Sequence, residues 1–462
     1  MDTSTIVAIA TPPGTGGIGI VKLTGSIAVK IAQTLFRTHG NAQTTVLEES
    51  HRLYYGQVVD PEDQKMIDEV LVSLMLAPHS YTREDVVEIN AHSGPVALKA
   101  ILDLVIKQGA RLAEPGEFTR RAYLNGRIDL TQAEAVIDII NAKSSSALER
   151  AAAQIKGDLR ERIESIRDAL VSQQVEIEAG IDFPDDIEPI DAPDIVYNRF
   201  RQYVLAELEA LIDGYESGHV LRDGLAVVIV GKPNVGKSSL VNRLIEKDRV
   251  IVTDVPGTTR DVIEETIVIN GIPVVLCDTA GLHPSEDPIE AIGMEKTRER
   301  IERADVVVFV VEAGSALTAE DLSIYEQIKG KNHLVVINKI DLLDTGETEP
   351  LPAPLETLVA GRISALYNRG VGELKELLVT TGSPDYRSID LDRVIPNLRQ
   401  AQGLEKGLLA ARGAAEGIRD SLPAELVAID LREAVDALDE VLGRNTREDI
   451  LSQIFSQFCI GK

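Results

Sequence analysis

The stretch GKPNVGKSSL, residues Gly231 to Leu240, follows the apolar run LAVVIV and decides the fold of the middle of the chain. Its pattern is G-x-x-x-x-G-K-S, in which glycines allow consecutive backbone N–H groups to face phosphate oxygens. Lys237 is then expected to reach the outer phosphates, and the Ser238 hydroxyl is expected to bind Mg²⁺. A strand, this loop and a helix in that order predict a nucleotide-binding α/β domain.

Two further motifs belong to the phosphate end of such a site. DTAG, residues Asp278 to Gly281, follows the apolar run IPVVLC and supplies a Walker B aspartate and a glycine that senses the γ-phosphate. PGTTRD, residues Pro256 to Asp261, offers Thr259 as a second Mg²⁺ ligand. These motifs predict that the chain binds a nucleoside triphosphate together with Mg²⁺.

Two later motifs specify the base. NKID, residues Asn338 to Asp341, follows another apolar run, and its carboxylate can accept two hydrogen bonds from guanine, whereas adenine lacks that donor pair. SAL, residues Ser364 to Leu366, offers a backbone N–H to the guanine carbonyl. The five motifs together predict a GTPase. The residues predicted to bind GTP are Asn234, Val235, Gly236, Lys237, Ser238, Ser239, Thr253, Asp254, Val255, Pro256, Gly257, Thr258, Thr259, Asp278, Thr279, Ala280, Gly281, Asn338, Lys339, Asp341, Ser364, Ala365 and Leu366.

Leu282 stands after the DTAG glycine, where Ras-type enzymes have a glutamine that orients the attacking water. Leucine cannot polarise water, so the chemistry must be supplied elsewhere. One interpretation is that the Asn234 amide oxygen and backbone carbonyls of 253–258 hold a monovalent cation against the phosphates. The other is that Asn234 only caps the turn, as asparagine often does. The acids available to orient the water, among which the residue pattern does not choose, are Glu286, Asp287, Glu290 and Glu295.

The regions before the phosphate loop differ in their hydrophobic period. Up to about residue 118, short β-branched runs alternate with Gly/Pro turns and predict an α+β domain. From Leu130 the pattern is helical, and Thr131 with Glu134 predicts a capping box. Spacings of three and four then predict a buried helix stripe. Its members are Ile155, Leu159, Ile163, Ile166 and Leu170.

The rest of the chain predicts an insertion. The apolar runs LAVVIV, IPVVLC, DVVVFVV and HLVVIN are typical of parallel strands covered on both faces. After TGSPDYRSID the helical pattern resumes, with one apolar face formed by Leu431, Val435, Leu438 and Leu442. Two helical blocks around an α/β unit predict a helical domain that is interrupted by a Ras-like domain. The fold class is therefore a multidomain chain with α+β and α/β parts.

Composition limits the partners and the compartment. The chain has 47 basic and 74 acidic side chains, and its net charge of −27 repels long polyanions over most of the surface. Any nucleic-acid contact must then be a local basic patch or be made through a partner. Two cysteines favour a reducing compartment. No basic leader opens the chain, and no apolar run approaches the ~18 residues of a membrane span. We expect a cytoplasmic protein without membrane contact.

The chain resembles the MnmE (TrmE) family of tRNA modification GTPases over essentially its whole length. The segments that carry the resemblance are ATPPGTGGIGIVKL, PGEFTRRAYLNGRIDLTQAEAV, the GTPase motifs and the terminal FCIGK. The resemblance implies an N-terminal folate-binding domain that also forms a homodimer, a helical domain, and an inserted G domain. The expected bounds are 1–118 for the first domain, 119–216 and 383–462 for the helical domain, and 217–382 for the G domain.

The resemblance also implies activation by K⁺ and by dimerisation of the G domains, which favours the cation interpretation of Asn234. The implied K⁺ ligands are Asn234, Thr253, Val255 and Thr258. The water-orienting acid falls on Glu290. Arg260 in the switch loop is interpreted as an ordering residue, because an arginine finger and a monovalent cation would be redundant.

The resemblance places a folate site on Lys22, Glu88, Arg127 and Lys462. Cations there can meet the glutamate tail or a ring carbonyl, and the carboxylate can pair with pterin donors. Each residue taken alone could instead be a surface charge or part of a structural ion pair. For Cys459 two interpretations stay open, a tail nucleophile or a small residue that helps to seat the tail.

The predicted function is GTP hydrolysis in the modification of a tRNA wobble uridine. The resemblance implies that the partner is MnmG (GidA), an FAD- and NADH-dependent protein, and that the two proteins form a heterotetramer. The product is a 5-carboxymethylaminomethyl or aminomethyl group, with 5,10-methylene- or 5-formyl-tetrahydrofolate as the one-carbon donor. The alternatives are a ribosome-assembly GTPase and a regulatory GTP switch. The arginines considered for tRNA contact, or for ordinary ion pairs, are Arg111, Arg120, Arg121 and Arg127.

Overall fold

A computed structural model describes residues 4–38, 47–183, 192–245, 264–278, 300–343, 355–383 and 394–462. Its first unit is a seven-stranded sheet in the order β3-β4-β5-β6-β2-β1-β7. The strands are β1 (Ile6–Ile9), β2 (Gly16–Thr24), β3 (Phe36–Thr38), β4 (Arg52–Val59), β5 (Met66–Met75), β6 (Val86–Ser93) and β7 (Arg111–Leu112). Three helices accompany them, α1 (Ala28–Leu35), α2 (Pro95–Lys107) and α3 (Glu117–Leu124).

Alternation along the strands gives this sheet two different faces. On β2, Val21 and Leu23 are buried in a core with the apolar sides of α1 and α2. Lys22 lies between them and therefore points to the other face. There it is the direct cross-strand neighbour of Glu88 on β6. The predicted α+β unit is confirmed, and its second face is available for polar chemistry.

A run of helices follows the sheet, with bounds α4 (Leu130–Asn141), α5 (Ser145–Lys156), α6 (Asp158–Asp182), α7 (Pro193–Phe200) and α8 (Ala206–Asp223). A π-helical turn, Arg201–Leu205, joins the last two. Across the described ranges, none of the helices has the length and apolarity that crossing a bilayer requires.

Two local predictions for these helices are wrong. The capping box of α4 is made by Asp129 and Gln132, not by Thr131 and Glu134. The Thr131 hydroxyl instead donates to the Asp129 carboxylate, because the helix begins at Leu130 and Asp129 holds the N-cap position.

The predicted apolar stripe is also divided. Gly157 has φ 105° and ends α5, so Ile155 belongs to a different helix from the other four residues. Those four, Leu159, Ile163, Ile166 and Leu170, are buried on α6 as expected.

The second sheet has six strands in the order β13-β12-β11-β8-β10-β9. Its strands are β8 (Leu225–Val230), β9 (Glu264–Ile269), β10 (Ile272–Asp278), β11 (Val306–Glu312), β12 (His333–Asn338) and β13 (Val359–Arg362). All neighbouring pairs are parallel except β9 with β10. The helices are α9 (Lys237–Ile245), α10 (Ala319–Ile328) and α11 (Val371–Gly382), with 3₁₀ turns at Ile340–Leu342 and Leu355–Leu358. The predicted parallel strands are confirmed.

The chain then returns to the helical assembly through α12 (Leu398–Arg419), α13 (Ala424–Leu442) and α14 (Glu448–Ser456). Residues of α6 and α8 share one core with residues of α12 and α13. The two helical blocks therefore pack together around an inserted α/β unit, as predicted. The predicted face of Leu431, Val435, Leu438 and Leu442 is buried. The exact domain bounds stay predictions, and those at residues 118 and 216 fall within helices α3 and α8.

Candidate functional site

The phosphate loop connects β8 to α9 and has the strand-loop-helix order that its sequence predicts. Gly231 has φ 150°, and a Cβ atom there would lie 2.4 Å from the Val310 carbonyl oxygen, so only glycine fits. The Lys237 ammonium donates to the carbonyls of Gly231 at 2.7 Å and Lys232 at 2.9 Å. Lys237, at the end of the loop, is thus hydrogen-bonded to the backbone at the beginning of the loop. Ser238 and Ser239, the next two residues of α9, are exposed.

Asn234 lies at the tip of this loop with φ 66°. Asparagine tolerates this left-handed backbone better than most residues do, so the backbone alone is one reason why an asparagine suits this position. The side chain is exposed, and among the residues the structure describes it makes no hydrogen bond that would cap the turn. The amide oxygen is therefore available to a ligand.

Asn338 joins the phosphate loop to the loop of the SAL motif. Its Nδ2 donates to the Val235 carbonyl at 3.0 Å, and its Oδ1 accepts from the Ala365 N–H at 3.1 Å. The side chain of Asn338 is buried, and a Cβ atom on Gly236 would lie 2.3 Å from its Nδ2. One amide thereby fixes the distance between the two loops.

Asp341 lies beside the SAL loop. Its Oδ1 accepts from the Ser364 hydroxyl at 2.5 Å, which turns the NKID carboxylate toward the SAL loop. Lys339 has φ 66° and donates from Nζ to Glu312 Oε1 at 2.9 Å. Leu366 is exposed. All the predicted base-recognition residues therefore lie at one edge of the six-stranded sheet.

Asp278 is the last residue of β10, and its backbone pairs in register with Ile229 of β8, just before the phosphate loop. The other predicted residues of this site lie outside the described ranges. They are Thr253, Asp254, Val255, Pro256, Gly257, Thr258, Thr259, Arg260, Thr279, Ala280, Gly281 and Glu290.

A second candidate site lies on the polar face of the seven-stranded sheet. The Lys22 ammonium is 3.9 Å from Glu88 Oε1, and it lies 4.9 Å from the Tyr81 ring centroid and 5.0 Å from that of Phe118. The Arg127 guanidinium covers the same Tyr81 ring at 4.8 Å. Two cations, one carboxylate and two aromatic rings thus share one small region.

The C-terminal tail reaches this region. The Phe118 N–H donates to the Lys462 carbonyl at 3.2 Å. Gly461 has φ 97°, and a Cβ atom there would lie 2.8 Å from Ala10 Cα, so the tail can approach β1 only with glycine. The structure therefore brings together all four residues of the predicted folate set, although they are far apart in the sequence.

The charges around Lys22 oppose one another. Burial lowers the pKa of Lys22 below its usual range, the Glu88 carboxylate raises it, and the charges of Lys462 and Arg127 lower it again. A ligand that brings a carbonyl or carboxylate oxygen would relieve the repulsion among these cations.

Cys459 is exposed and lies three residues before the chain end, where its carbonyl accepts from the Lys462 N–H at 3.3 Å. The seating of the tail thus depends on backbone contacts and on Gly461, whereas the thiol faces solvent.

Three of the four arginines considered for tRNA contact are held in ion pairs. Arg111 donates to Glu117 at 2.6 Å, Arg121 donates to Glu84 at 3.0 Å, and Arg120 pairs with Glu448. Among these four side chains, the structure supports the ion-pair interpretation for three and places Arg127 on Tyr81.

Several residues near the sites were missed by sequence reasoning. Tyr81 has the cations of Lys22 and Arg127 over its ring, and no sequence motif points to it. Asp321 accepts from Lys232 of the phosphate loop at 3.1 Å while its carboxylate caps α10. The capping pattern Thr318-x-x-Asp321 is the sequence feature that points to Asp321. Arg243, on the last turn of α9, contacts the SAL loop and has no sequence signal.

Known families match almost the whole chain. The model described as the MnmE helical domain matches residues 130–459, and the model described as the GTP-binding protein TrmE N-terminus matches residues 5–127. The chain is similar to the tRNA modification GTPase MnmE of Syntrophus aciditrophicus, with 46% identity over 99% of both chains. It is also similar to the protein of that name from Carboxydothermus hydrogenoformans, with 45% identity over 100% of both chains. Among solved structures, the FeoB G-domain from Methanococcus jannaschii matches 34% of this chain and 97% of its own length, with 26% identity and a TM-score of 0.25.

Proposed function

The chain belongs to the MnmE family of tRNA modification GTPases, and from this premise we propose the reaction in which its GTP hydrolysis is used. The chain is a GTP hydrolase of tRNA modification. We infer that K⁺ activates hydrolysis and that MnmG (GidA) is the partner. The product would be a 5-carboxymethylaminomethyl or aminomethyl group on the wobble uridine, with a reduced folate as the one-carbon donor.

The observation that carries the GTP assignment is the double contact of Asn338. The residue holds the phosphate loop through Val235 and the guanine loop through Ala365. A nucleotide that spans both loops would place its phosphates beside Lys237 and Ser238 and its base beside Asp341. Ser238, with Thr259 from the switch segment, would hold Mg²⁺, which supplies positive charge to the phosphate oxygens when bound.

The proposal for K⁺ rests on Asn234. Its amide is exposed at the loop tip, and no side-chain hydrogen bond to the described residues occupies it. An amide oxygen is a suitable ligand for a hard cation. Thr253, Val255 and Thr258 would complete the site, and a cation bound there would supply the charge that an arginine finger supplies in other GTPases. Glu290 would orient the attacking water, and Arg260 would order the switch loop.

The folate proposal is supported by the cluster on the polar face of the sheet. Lys22, Arg127 and Lys462 offer cations to the carboxylates or ring carbonyl of a reduced folate, and Glu88 offers an acceptor to the pterin donors. The Lys22–Glu88 separation of 3.9 Å is longer than a hydrogen bond, so both groups keep hydrogen-bonding capacity for a ligand. Tyr81, which is only partly buried, supplies flat apolar surface for a planar ring.

We propose a division of labour with the partner. The site residues of this chain bind GTP and the folate, whereas the carbon chemistry at the uridine belongs to FAD and NADH on MnmG. The homodimer would form through the N-terminal domain, and hydrolysis would change the contact between two G domains.

The test is complementation of cells that lack this protein. Wild-type chain should restore the modified wobble nucleoside, measured by mass spectrometry of digested tRNA. Lys237→Ala should fail, because the phosphate loop loses its lysine. Lys329→Ala, which removes a surface cation paired with Glu326, should restore modification fully. Unmodified tRNA in the wild-type complement, or full modification with Lys237→Ala, would contradict the proposed function.

A further inference from the structure

The guanine loop, defined here as Ser364, Ala365 and Leu366, is held by a side chain outside the GTPase motifs. The Arg243 guanidinium donates from Nε to the Ala365 carbonyl at 2.9 Å. It also donates from Nη2 to the Leu366 carbonyl at 2.8 Å. Arg243 lies near the end of α9, the helix that begins with Lys237 of the phosphate loop. One helix thus connects the phosphate end of the site to the base end.

Packing holds only the first part of the guanine loop, where Ser364 and Ala365 are buried and Ala365 belongs to the core of the second sheet. The Leu366 and Tyr367 side chains are 65% and 61% exposed, so they anchor little of the backbone. The loop is closed by paired hydrogen bonds between Ser364 and Arg369, at 3.0 and 3.1 Å. Between these ends, its conformation depends on the groups that bind its peptide units, which are Asn338 on one side and Arg243 on the other.

Because peptide units are planar, the contacts of Arg243 with two loop carbonyls also fix the directions of the N–H groups in the same peptide units. In a trans peptide the N–H points away from the carbonyl of the same unit. With the Ala365 carbonyl held by Arg243, the Leu366 N–H must point to the opposite side. With the Leu366 carbonyl held as well, the Tyr367 N–H points back toward Ser364 Oγ, and it donates there at 3.3 Å.

Arginine is the residue type that can do this. Its planar guanidinium presents donors in a fixed fork, so two neighbouring carbonyls are held at once in one geometry. The ammonium of a lysine is a single point of charge on a flexible stem and does not define both peptide planes.

We propose that Arg243 is a positioning residue for guanine recognition, which aims the Leu366 N–H of the guanine loop at the base carbonyl. The proposal rests on the assignment of this loop to the guanine carbonyl and adds a residue that no GTPase motif contains. It predicts that loss of Arg243 weakens recognition of the carbonyl oxygen more than it weakens binding of the phosphates.

The test compares GTP with 6-thioguanosine triphosphate, which differs only at the carbonyl atom. Dissociation constants of the full-length protein are measured with Mg²⁺ by displacement of a fluorescent GDP. Wild type should bind GTP about tenfold more tightly than the thio analogue, because sulfur is the weaker acceptor and one hydrogen bond is lost. In Arg243→Ala, GTP should bind about tenfold more weakly, and the ratio between the two nucleotides should fall toward one.

Two variants serve as controls. Arg369→Ala removes a neighbouring guanidinium that lies over the Tyr367 ring. Within the described residues that guanidinium makes no hydrogen bond to the loop carbonyls, and the substitution keeps the backbone pair with Ser364. This variant should keep the wild-type ratio. Arg243→Lys keeps the charge and should give an intermediate ratio, and thermal melting of each variant reports its folding. If Arg243→Ala does not fold, the ratio of Arg243→Lys decides the test.

Asp341→Asn separates failure of this proposal from failure of the guanine site itself. It should shift preference from GTP to xanthosine triphosphate, because an amide pairs with the xanthine oxygen in place of the guanine amino group. If that shift occurs but the Arg243 variants keep the wild-type ratio, the Arg243 proposal is wrong. If the shift is absent, or if wild type binds GTP and the thio analogue equally well, the assignment of the guanine site is wrong. The Arg243 proposal is then wrong as well.

Discussion

Asn234 combines a left-handed backbone with an exposed amide, and these two properties can be separated by substitution. Asn234→Gly relieves the backbone and removes the amide, so the loop should keep its shape while the proposed K⁺ site is lost. We expect GTP affinity within about threefold of wild type and loss of most stimulation by KCl over NaCl. Asn270→Gly, which removes another asparagine with positive φ from the β9–β10 turn, is the control and should retain stimulation. Full stimulation of Asn234→Gly would leave Asn234 with a turn role only.

Glu290 carries the water-orienting role in the proposal, and its position comes from the family resemblance. Glu290→Ala should bind GTP normally, because the side chain would contact water and not the nucleotide. Single-turnover hydrolysis should fall by about a hundredfold or more, which is the usual effect of losing a general base. Glu286→Ala and Glu295→Ala are measured alongside. A large loss in either of these, with Glu290→Ala unaffected, would move the role to that acid.

Glu88 tests the second site. Its carboxylate is the acceptor in a group of three cations, so Glu88→Ala should abolish binding of 5-formyl-tetrahydrofolate measured by calorimetry. Glu49→Ala removes an exposed acid of the same domain that is paired only at the surface with Arg52, and it should bind like wild type. Undiminished binding by Glu88→Ala would remove this residue from the proposed site.

At the scale of elements, buried and exposed ion pairs of the helical assembly should differ in energy. Glu134 on α4 is buried and accepts from Arg399 at 2.7 Å and from Gln400 at 2.6 Å. Glu134→Ala leaves the buried Gln400 amide and the Arg399 Nε without their acceptor, although Arg399 keeps the Val441 carbonyl, so we expect a loss of about 3 kcal/mol in unfolding free energy. The exposed pair of Glu209 with Arg412 has a similar distance of 2.6 Å, yet Glu209→Ala should cost less than about 1 kcal/mol. Urea unfolding measures both, and equal losses would show that burial does not set the difference.

Elements were predictable where the signal was local. The order of strands and helices around the phosphate loop follows from apolar runs and glycines that lie within a few residues of one another. The start of α4 at Leu130 agrees with the sequence pattern, but the capping box predicted there is wrong. Asp129 and Thr131 are both good N-cap residues, and the N-cap belongs to the residue just before the first helical one. The apolar spacing of three and four continues across Gly157, but the left-handed backbone of Gly157 ends one helix there. The spacing of apolar residues alone does not reveal such a break.

At the scale of the whole molecule, the sites depend on contacts between residues that are far apart in the chain. The spacing of residues in one sequence does not predict such contacts. Lys22 and Lys462 meet from opposite ends of the chain, and only the family resemblance connected them before the structure did. The contact of Arg243 with Ala365 spans 122 positions and follows from the path of α9 across the sheet. The helical assembly and the second sheet are likewise joined by a distant pair, in which Lys143 donates to Thr266 of β9 at 3.1 Å. Within the helical assembly, Arg222 of α8 pairs with Asp138 of α4 at 2.7 Å.

The central claim is that a monovalent cation and a second G domain together complete the GTPase site. The most direct measurement is GTP turnover by the full-length protein in KCl and in NaCl at matched ionic strength, over a range of protein concentrations. We predict strong stimulation by K⁺, and a specific activity that rises with protein concentration because two G domains must meet. Equal rates in the two salts, with a specific activity independent of concentration, would contradict the account.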